Sequence, residues 1–159
     1  MLAGSIEHGV GAGLIIGGSL VEGAQSSAGE IGHIVVDDDG DACPCGLRGC
    51  LDLAVSAPSL RARLRESDVG HDAILATAAR TLGKSLAPMI AANGVNDIVI
   101  GGPVDLVTEE FLTIVRETIT SRVFWSVSDG LTVESAPGGE DLVLLGAAAL
   151  VLSTELGVA

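Results

Sequence analysis

The sequence is poor in aromatic residues and in positive charge. Tyrosine is absent, and the 159 residues include only two phenylalanines and one tryptophan, so a core has to be built from Ala, Val, Leu and Ile. Eight Lys and Arg residues stand against 21 Asp and Glu, which gives a formal net charge of −13 at pH 7. Because a surface this acidic repels phosphate backbones, we expect no nucleic-acid-binding surface on this chain.

Long hydrophobic runs are also missing. The longest, residues 142–152, is too short to span a bilayer and contains Gly146. The N-terminus lacks the basic region of a signal peptide. We therefore expect a soluble, cytoplasmic chain with no membrane partner, long enough for one domain or one lobe of a larger fold.

Cysteine is scarce, but its placement is specific. Cys43, Cys45 and Cys50 are spaced C-x-C-x4-C, and His33 lies ten residues before the first of them. Three thiolates and one imidazole form a closed tetrahedral zinc set, which is structural because it leaves no position for a catalytic water. Free thiols or an occasional disulfide are the alternatives. Zinc ligation by thiolates fits a reducing compartment.

Apolar patterning predicts short strands that alternate with helices, which indicates an α/β layered fold. The expected strands are 12–16 and 20–21, joined as a hairpin through Gly17-Gly18-Ser19, followed by 33–36, 97–100 and 131–135. Four helices are expected. The first runs from an N-cap at Ser56 to about Glu66, and the second has an apolar face over 74–90 and ends at a left-handed cap at Gly94. The third follows an N-cap at Thr108 and has the apolar face Phe111, Leu112, Val115 and Ile119, and the fourth covers 141–152.

Five motifs now carry a resemblance to a known family. They are GVGAGLI (9–15), AGEIGH (28–33), CPCGLRGCLD (43–52), IVIGGP (98–103) and LLGAAAL (144–150). Their order and spacing resemble the ROK family of sugar kinases and sugar-responsive repressors. The resemblance implies an actin/hexokinase-like (ribonuclease H-like) fold, of which residues 1–159 would form the C-terminal lobe, with a structural zinc loop at 33–50. The N-terminal lobe and any DNA-binding domain would lie outside this chain.

The resemblance also implies roles for individual residues. Glu30, His33 and Asp52 occupy positions that contact sugar hydroxyls in the family, and His33 would ligate zinc through one ring nitrogen while the other faces the sugar. The family usually has Glu where this chain has Asp52, so direct contact, contact through water and capping of the following segment all stay open. The glycines of two vestigial nucleotide-site loops would be Gly9, Gly11, Gly13, Gly101 and Gly102.

Three departures from the kinase pattern distinguish this chain. Glu7 and His8 stand where ROK kinases usually carry Gly-Thr beside the ATP phosphates, and Pro103 replaces a third glycine near the adenosine. A carboxylate repels a triphosphate, and proline offers no N–H. The family's D-x-G-x-T loop and its catalytic Asn-Asp pair are absent, since Asn96-Asp97 precedes the wrong strand. We therefore expect no catalytic residue here.

The resemblance leaves three functions to compare. The first is the sugar-effector-binding and dimerising lobe of a ROK transcriptional regulator, which would take a sugar or sugar phosphate, form a homo-oligomer and reach DNA only through an upstream domain. The second is the C-terminal lobe of an ATP-dependent, glucokinase-like sugar kinase. The third is a zinc-stabilised scaffold with no ligand.

Overall fold

The computed structural model describes residues 1–137, which form a mixed five-stranded sheet packed against helices. The strands are β1 (Leu2–Ser5), β2 (Gly11–Ile16), β3 (Ser19–Leu20), β4 (Asp97–Gly101) and β5 (Thr132–Ser135). Their spatial order is β3-β2-β1-β4-β5. The β1–β2 and β2–β3 pairs are antiparallel, whereas β1–β4 and β4–β5 are parallel. Parallel neighbours require crossover connections, and the helices supply them.

Five α-helices connect these strands. They are α1 (Leu51–Val55), α2 (Ala57–Glu66), α3 (His71–Asn93), α4 (Glu109–Thr120) and α5 (Trp125–Ser128). Helices α1 to α3 connect β1–β3 to β4, and α4 and α5 connect β4 to β5. Short 3-10 turns occur at Ala24–Ser26 and Ile31–His33. No helix within residues 1–137 is both long and apolar enough to cross a bilayer.

Aliphatic side chains fill the core, as the composition predicts. Helices α3 and α4 pack closely because Gly83 faces Thr118, where an added Cβ would lie 2.7 Å from the Thr118 Cβ. All four residues of the predicted α4 face are buried. Thr108 caps this helix as expected, and its Oγ1 accepts a hydrogen bond from the Phe111 N–H at 3.2 Å. Gly94 ends α3 in the left-handed conformation, also as expected.

The hairpin prediction is confirmed. Strands β2 and β3 pair in antiparallel register across Gly17 and Gly18, whose φ angles are 58° and 82°. Two consecutive positive φ angles match the right-handed twist of the flanking strands, and glycine adopts them without strain.

The prediction of a strand at 33–36 is wrong. The chain instead forms the 3-10 turn Ile31–His33, and only Val35 makes an isolated bridge, to Cys50. The N–H groups of Val36 and Asp37 both donate to the Gly49 carbonyl, so this segment closes the cysteine loop and does not join the sheet. Its apolar side chains are exposed.

Sequence patterning missed three elements. Strand β1 lies at the centre of the sheet, but it is short and includes Gly4 and Ser5, which have low strand propensity. Helices α1 and α5 span only five and four residues, too few to show helical periodicity. The helix expected over 141–152 and the motif 144–150 lie outside the described residues.

Candidate metal centre

The predicted metal ligands come together in one cluster. The ligand atoms of His33, Cys43, Cys45 and Cys50 all lie within 4.8 Å of one another. The Cys43 Sγ is 3.8 Å from the His33 Nδ1, and the Cys45 Sγ is 3.7 Å from the Cys50 Sγ. This donor set can hold a metal ion, and three sulfurs with one imidazole nitrogen match the ligands that Zn²⁺ takes in structural sites.

The backbone of the cysteine loop positions these ligands. The Cys43 N–H donates a hydrogen bond to the Leu47 carbonyl at 2.8 Å, and the Gly46 N–H donates one to the Cys43 carbonyl at 3.0 Å. The loop then reverses at Gly46 and Gly49, whose φ angles are 95° and 62°. An added Cβ at Gly49 would lie 1.6 Å from the Asp37 carbonyl oxygen, so only glycine fits there.

The thiols experience different environments. Burial raises the pKa of Cys50 to about 12, and hydrogen bonds with the neighbouring thiols act in the same direction. A backbone hydrogen bond from Leu47 lowers the pKa of Cys45, which is exposed. Crowded thiols resist becoming anions together, whereas a divalent cation at their centre stabilises the thiolates. A cation at the centre of the cluster would therefore offset the mutual repulsion of the thiolates.

Glu30 and His33 lie together on the 3-10 turn that precedes the cysteine loop. The His33 N–H donates to the Glu30 carbonyl at 3.2 Å, and both side chains are exposed. Gly29 and Gly32 allow this turn to pack closely against the backbone at the start of β2. An added Cβ at Gly29 would lie 2.0 Å from the Ala12 carbonyl oxygen, and one at Gly32 would lie 2.3 Å from the Val10 carbonyl oxygen. These glycines thus serve backbone geometry.

Asp52 has a structural partner that the sequence did not indicate. It lies in the first turn of α1, two residues after Cys50, and its Oδ1 accepts the Val10 N–H at 2.8 Å. An added Cβ at Gly9 would lie 3.1 Å from the same oxygen. Asp52 therefore connects α1, the helix that follows the Cys/His cluster, to the loop between β1 and β2. The two residues are 42 positions apart, so no local pattern reveals this contact.

The loops that follow β1 and β4 meet at one edge of the sheet. Of the five glycines predicted for the nucleotide-site loops, only Gly9 and Gly102 lie in these loops, because Gly11 and Gly13 belong to β2 and Gly101 ends β4. Strands β1 and β4 are parallel neighbours whose carboxyl ends point the same way. The Ile6 N–H donates to the Gly101 carbonyl at 3.0 Å. An added Cβ at Gly102 would lie 2.7 Å from the Ile6 Cγ1. Ligands of open α/β sheets bind at this edge.

Glu7 lies in the first of these loops, and its carboxyl group is partly buried. Its side chain is half-buried, and its Oε2 is fully buried without a hydrogen-bond partner among the described residues. Pro103, in the second loop, is buried. An acidic side chain thus lies in the loop after β1, and a proline lies in the loop after β4.

A cavity of about 390 Å³ also adjoins the cysteine loop, and sequence reasoning did not anticipate it. Its wall includes Asp37, Gly49, Cys50 and Arg63. The Arg63 guanidinium donates to the Ala54 carbonyl, and burial lowers the pKa of this group. The three predicted sugar contacts do not line this cavity, so it is separate from the predicted sugar site.

The fold and the site together define an α/β protein with a Cys/His cluster that could hold a metal ion. The ROK family model matches residues 1–154, and the chain belongs to the ROK family. The N-acetylmannosamine kinase of Haemophilus influenzae (strain PittGG) is 29% identical over 160 residues, covering 91% of this chain and 52% of the kinase. The chain thus spans about half the length of the curated relatives it matches.

Solved structures confirm the fold. A ROK family glucokinase from Streptomyces griseus, in complex with glucose and AMPPNP, superposes with a TM-score of 0.76 at 23% identity, covering 94% of this chain and 59% of the glucokinase. A ROK family transcriptional regulator, a homologue of the E. coli MLC protein, superposes with a TM-score of 0.73 at 23% identity, covering 84% of this chain and 41% of the regulator. Kinases and regulators therefore share this architecture.

Proposed function

We propose that the chain is the sugar-effector-binding and dimerising lobe of a ROK transcriptional regulator, residues 1–159 being the C-terminal lobe of its two-lobed fold. The observation that carries this choice is Glu7, whose buried Oε2 has no described partner at the carboxyl end of β1. A carboxylate there opposes the phosphates of ATP, and Pro103 in the adjoining loop offers no N–H to a nucleotide.

The metal in this proposal is a structural zinc ion. Its ligands are His33, Cys43, Cys45 and Cys50, which supply four donors and leave no open position for a reacting water. The ion holds the cysteine loop against α1, and thereby holds Asp52 against the loop that follows β1. Bound through one ring nitrogen, His33 presents the other to solvent.

The sugar in this proposal lies beside Glu30 and His33. An exposed carboxylate accepts hydrogen bonds from two vicinal hydroxyls, and the free nitrogen of a zinc-bound imidazole adds a third polar contact. Asp52 has one oxygen committed to the Val10 N–H, so only its Oδ2 is left for a hydroxyl or a bridging water. The effector is a sugar or a sugar phosphate.

The remaining parts of the proposal concern partners. With a net charge of −13, this lobe does not contact DNA itself, and a separate domain upstream would do so. Apolar surface left open on a lobe favours self-association, so the working form is a homo-oligomer. Zinc-bound thiolates suit the cytoplasm.

A sugar kinase is the second candidate, and the 29% identity to an N-acetylmannosamine kinase favours it. The same sheet edge would then bind ATP despite Glu7 and Pro103. A zinc-stabilised scaffold without a ligand is the third.

One screen separates the three functions. The full-length gene product, with zinc present, is heated with hexoses, N-acetylhexosamines, their 6-phosphates and ATP. The regulator predicts a higher Tm with a sugar but not with ATP, because a ligand stabilises only the state that binds it. Stabilisation by both, with sugar-dependent ATP consumption, would identify a kinase. No stabilisation by any sugar would identify the scaffold.

A further inference from the structure

The three thiols of the cysteine loop differ in their access to solvent. Cys43 and Cys50 are buried, at 6% and 1% exposure, whereas Cys45 is exposed. A zinc ion bound here would hold all three cysteines as thiolates, and the thiolate is the form of sulfur that reacts with oxidants. Cys45 is therefore the thiolate that a small dissolved oxidant reaches first.

A second sulfur lies close enough to Cys45 to complete a disulfide. The Cys45 Sγ is 3.7 Å from the Cys50 Sγ, so these two atoms need to approach by roughly 1.7 Å to form a bond. Cys43 is a poorer partner for Cys45. Only Pro44 separates the two, and its ring restricts the backbone that so small a disulfide ring would have to bend. The Cys43 Sγ lies instead beside the His33 Nδ1, at 3.8 Å.

The loop leaves room for Cys45 to move and holds Cys50 in place. Gly46 follows Cys45 and is surrounded by open space, since an added Cβ there meets nothing within 4 Å. Cys50 follows Gly49, where an added Cβ would lie 1.6 Å from the Asp37 carbonyl oxygen. We therefore expect the Cys45 sulfur to move toward a fixed Cys50.

We propose that the cysteine loop is an oxidation site, at which hydrogen peroxide converts Cys45 and Cys50 to a disulfide and the metal is released. Peroxide transfers one oxygen to the Cys45 thiolate as its O–O bond breaks, which gives a sulfenic acid and a hydroxide ion. The Cys50 thiolate then attacks the Cys45 sulfur, so that the S–S bond forms, the S–O bond breaks and a second hydroxide ion leaves. The two sulfurs lose two electrons in all, and the peroxide gains them.

Disulfide formation removes two of the four candidate metal ligands. His33 and Cys43 remain, and two donors do not make a closed tetrahedral site. Without the metal, the His33 ring is no longer held in one orientation beside the proposed sugar. Oxidation at Cys45 thus regulates the proposed sugar site through its zinc.

This inference rests on the zinc of the proposed function and not on its sugar or its DNA. The full-length gene product is loaded with zinc, its zinc content is measured, and hydrogen peroxide is added together with a chromogenic chelator. We expect one zinc ion to be released for each Cys45–Cys50 disulfide, which peptide mass spectrometry identifies by the loss of two hydrogen atoms. A thiol reductant with added zinc should restore the metal.

Two variants test which sulfur is attacked, and each replaces one thiolate with an imidazole so that four zinc donors remain. Cys45→His removes the exposed thiolate and should release zinc at least about 10-fold more slowly than the parent. Cys43→His is the matched control. It keeps the Cys45 and Cys50 sulfurs and should form the same disulfide as the parent. Equal release from the parent and from Cys45→His would show that Cys45 is not the site of attack.

Three results in the parent protein would overturn the inference. Zinc that stays bound in excess peroxide would show that the cluster is inert. Zinc release with two or three oxygen atoms added to Cys45, and no disulfide, would show irreversible damage instead. Both of these results leave the zinc of the proposed function in place. A protein that takes up no zinc before peroxide is added rejects that zinc and its release together.

Discussion

Replacing Gly49 with alanine should disrupt the cysteine loop far more than replacing Gly46. Both glycines have positive φ angles, 62° and 95°, in the same loop between metal ligands. They differ in their surroundings. An added Cβ at Gly46 meets nothing within 4 Å, whereas at Gly49 it would lie 1.6 Å from the Asp37 carbonyl oxygen. Gly46→Ala is therefore a matched control for the backbone strain alone.

The expected magnitudes follow from these surroundings. Left-handed backbone costs a non-glycine residue about 1–2 kcal/mol, and this is the whole penalty expected for Gly46→Ala. At Gly49 the Asp37 segment has to move as well. Gly49 accepts hydrogen bonds from the Val36 and Asp37 N–H groups at 2.8 and 3.2 Å and donates to the Asp41 carbonyl at 2.8 Å. Losing three bonds at about 1 kcal/mol each raises the total to about 4–5 kcal/mol.

Urea unfolding of both variants, with zinc in excess, measures this difference. A loss of about 4–5 kcal/mol is a large part of the roughly 5–15 kcal/mol that typical domains have. Because relieving the clash with Asp37 also moves the adjacent Cys50, Gly49→Ala should release zinc more readily to a chromogenic chelator. Gly46→Ala, which lies beside Cys45 but meets no such clash, should retain zinc. If the two variants unfold at the same midpoint, the close approach to Asp37 does not hold the loop, and the reasoning is wrong.

Three further predictions concern the metal, Asp52 and the α4 cap. A strong chelator should lower the Tm of the chain, and added zinc should restore it. The stabilisation is about 4 kcal/mol when free zinc stands at about 1,000 times its dissociation constant. A Cys43→Ser variant should respond to neither reagent, and an unchanged Tm in the parent chain would reject a structural metal. Asp52→Ala should lose about 1–2 kcal/mol of folding stability, because it removes the hydrogen bond from the Val10 N–H. Asp52→Asn keeps an acceptor there and should unfold like the parent. Equal losses in both variants would show that the carboxylate charge matters and the hydrogen bond does not. Thr108→Ala should lower the free energy of unfolding in urea by about 1 kcal/mol, because the Phe111 N–H loses its acceptor. Thr113→Ala, on the exposed face of the same helix, should lower it much less. Similar losses in the two variants would argue against the cap.

Several parts of the fold follow from local sequence. The paired glycines between β2 and β3, the left-handed Gly94 and the Thr108 cap each act within a few residues, so local sequence is enough to predict them. The apolar face of α4 repeats with helical spacing and is buried as predicted. The cluster of four candidate metal ligands was also predictable, because thiol and imidazole donors have few other reasons to share one short segment.

The tertiary structure decided the rest. Residues 33–36 have strand-like composition, but the metal-ligand loop takes their backbone hydrogen bonds, so they do not pair with the sheet. Strand β1 is too short and too rich in small residues to be recognised, and it becomes the centre of the sheet because β2 and β4 pair with it on either side.

The candidate site shows the same division. The sequence by itself determined which side chains are chemically able to bind a metal or a hydroxyl, because that ability resides in the residue types. Only the folded chain decided that Asp52 holds Val10 and that Glu7 buries an oxygen at the carboxyl end of β1. Such contacts join residues far apart in the chain, and they depend on how strands and helices pack, which no local pattern encodes.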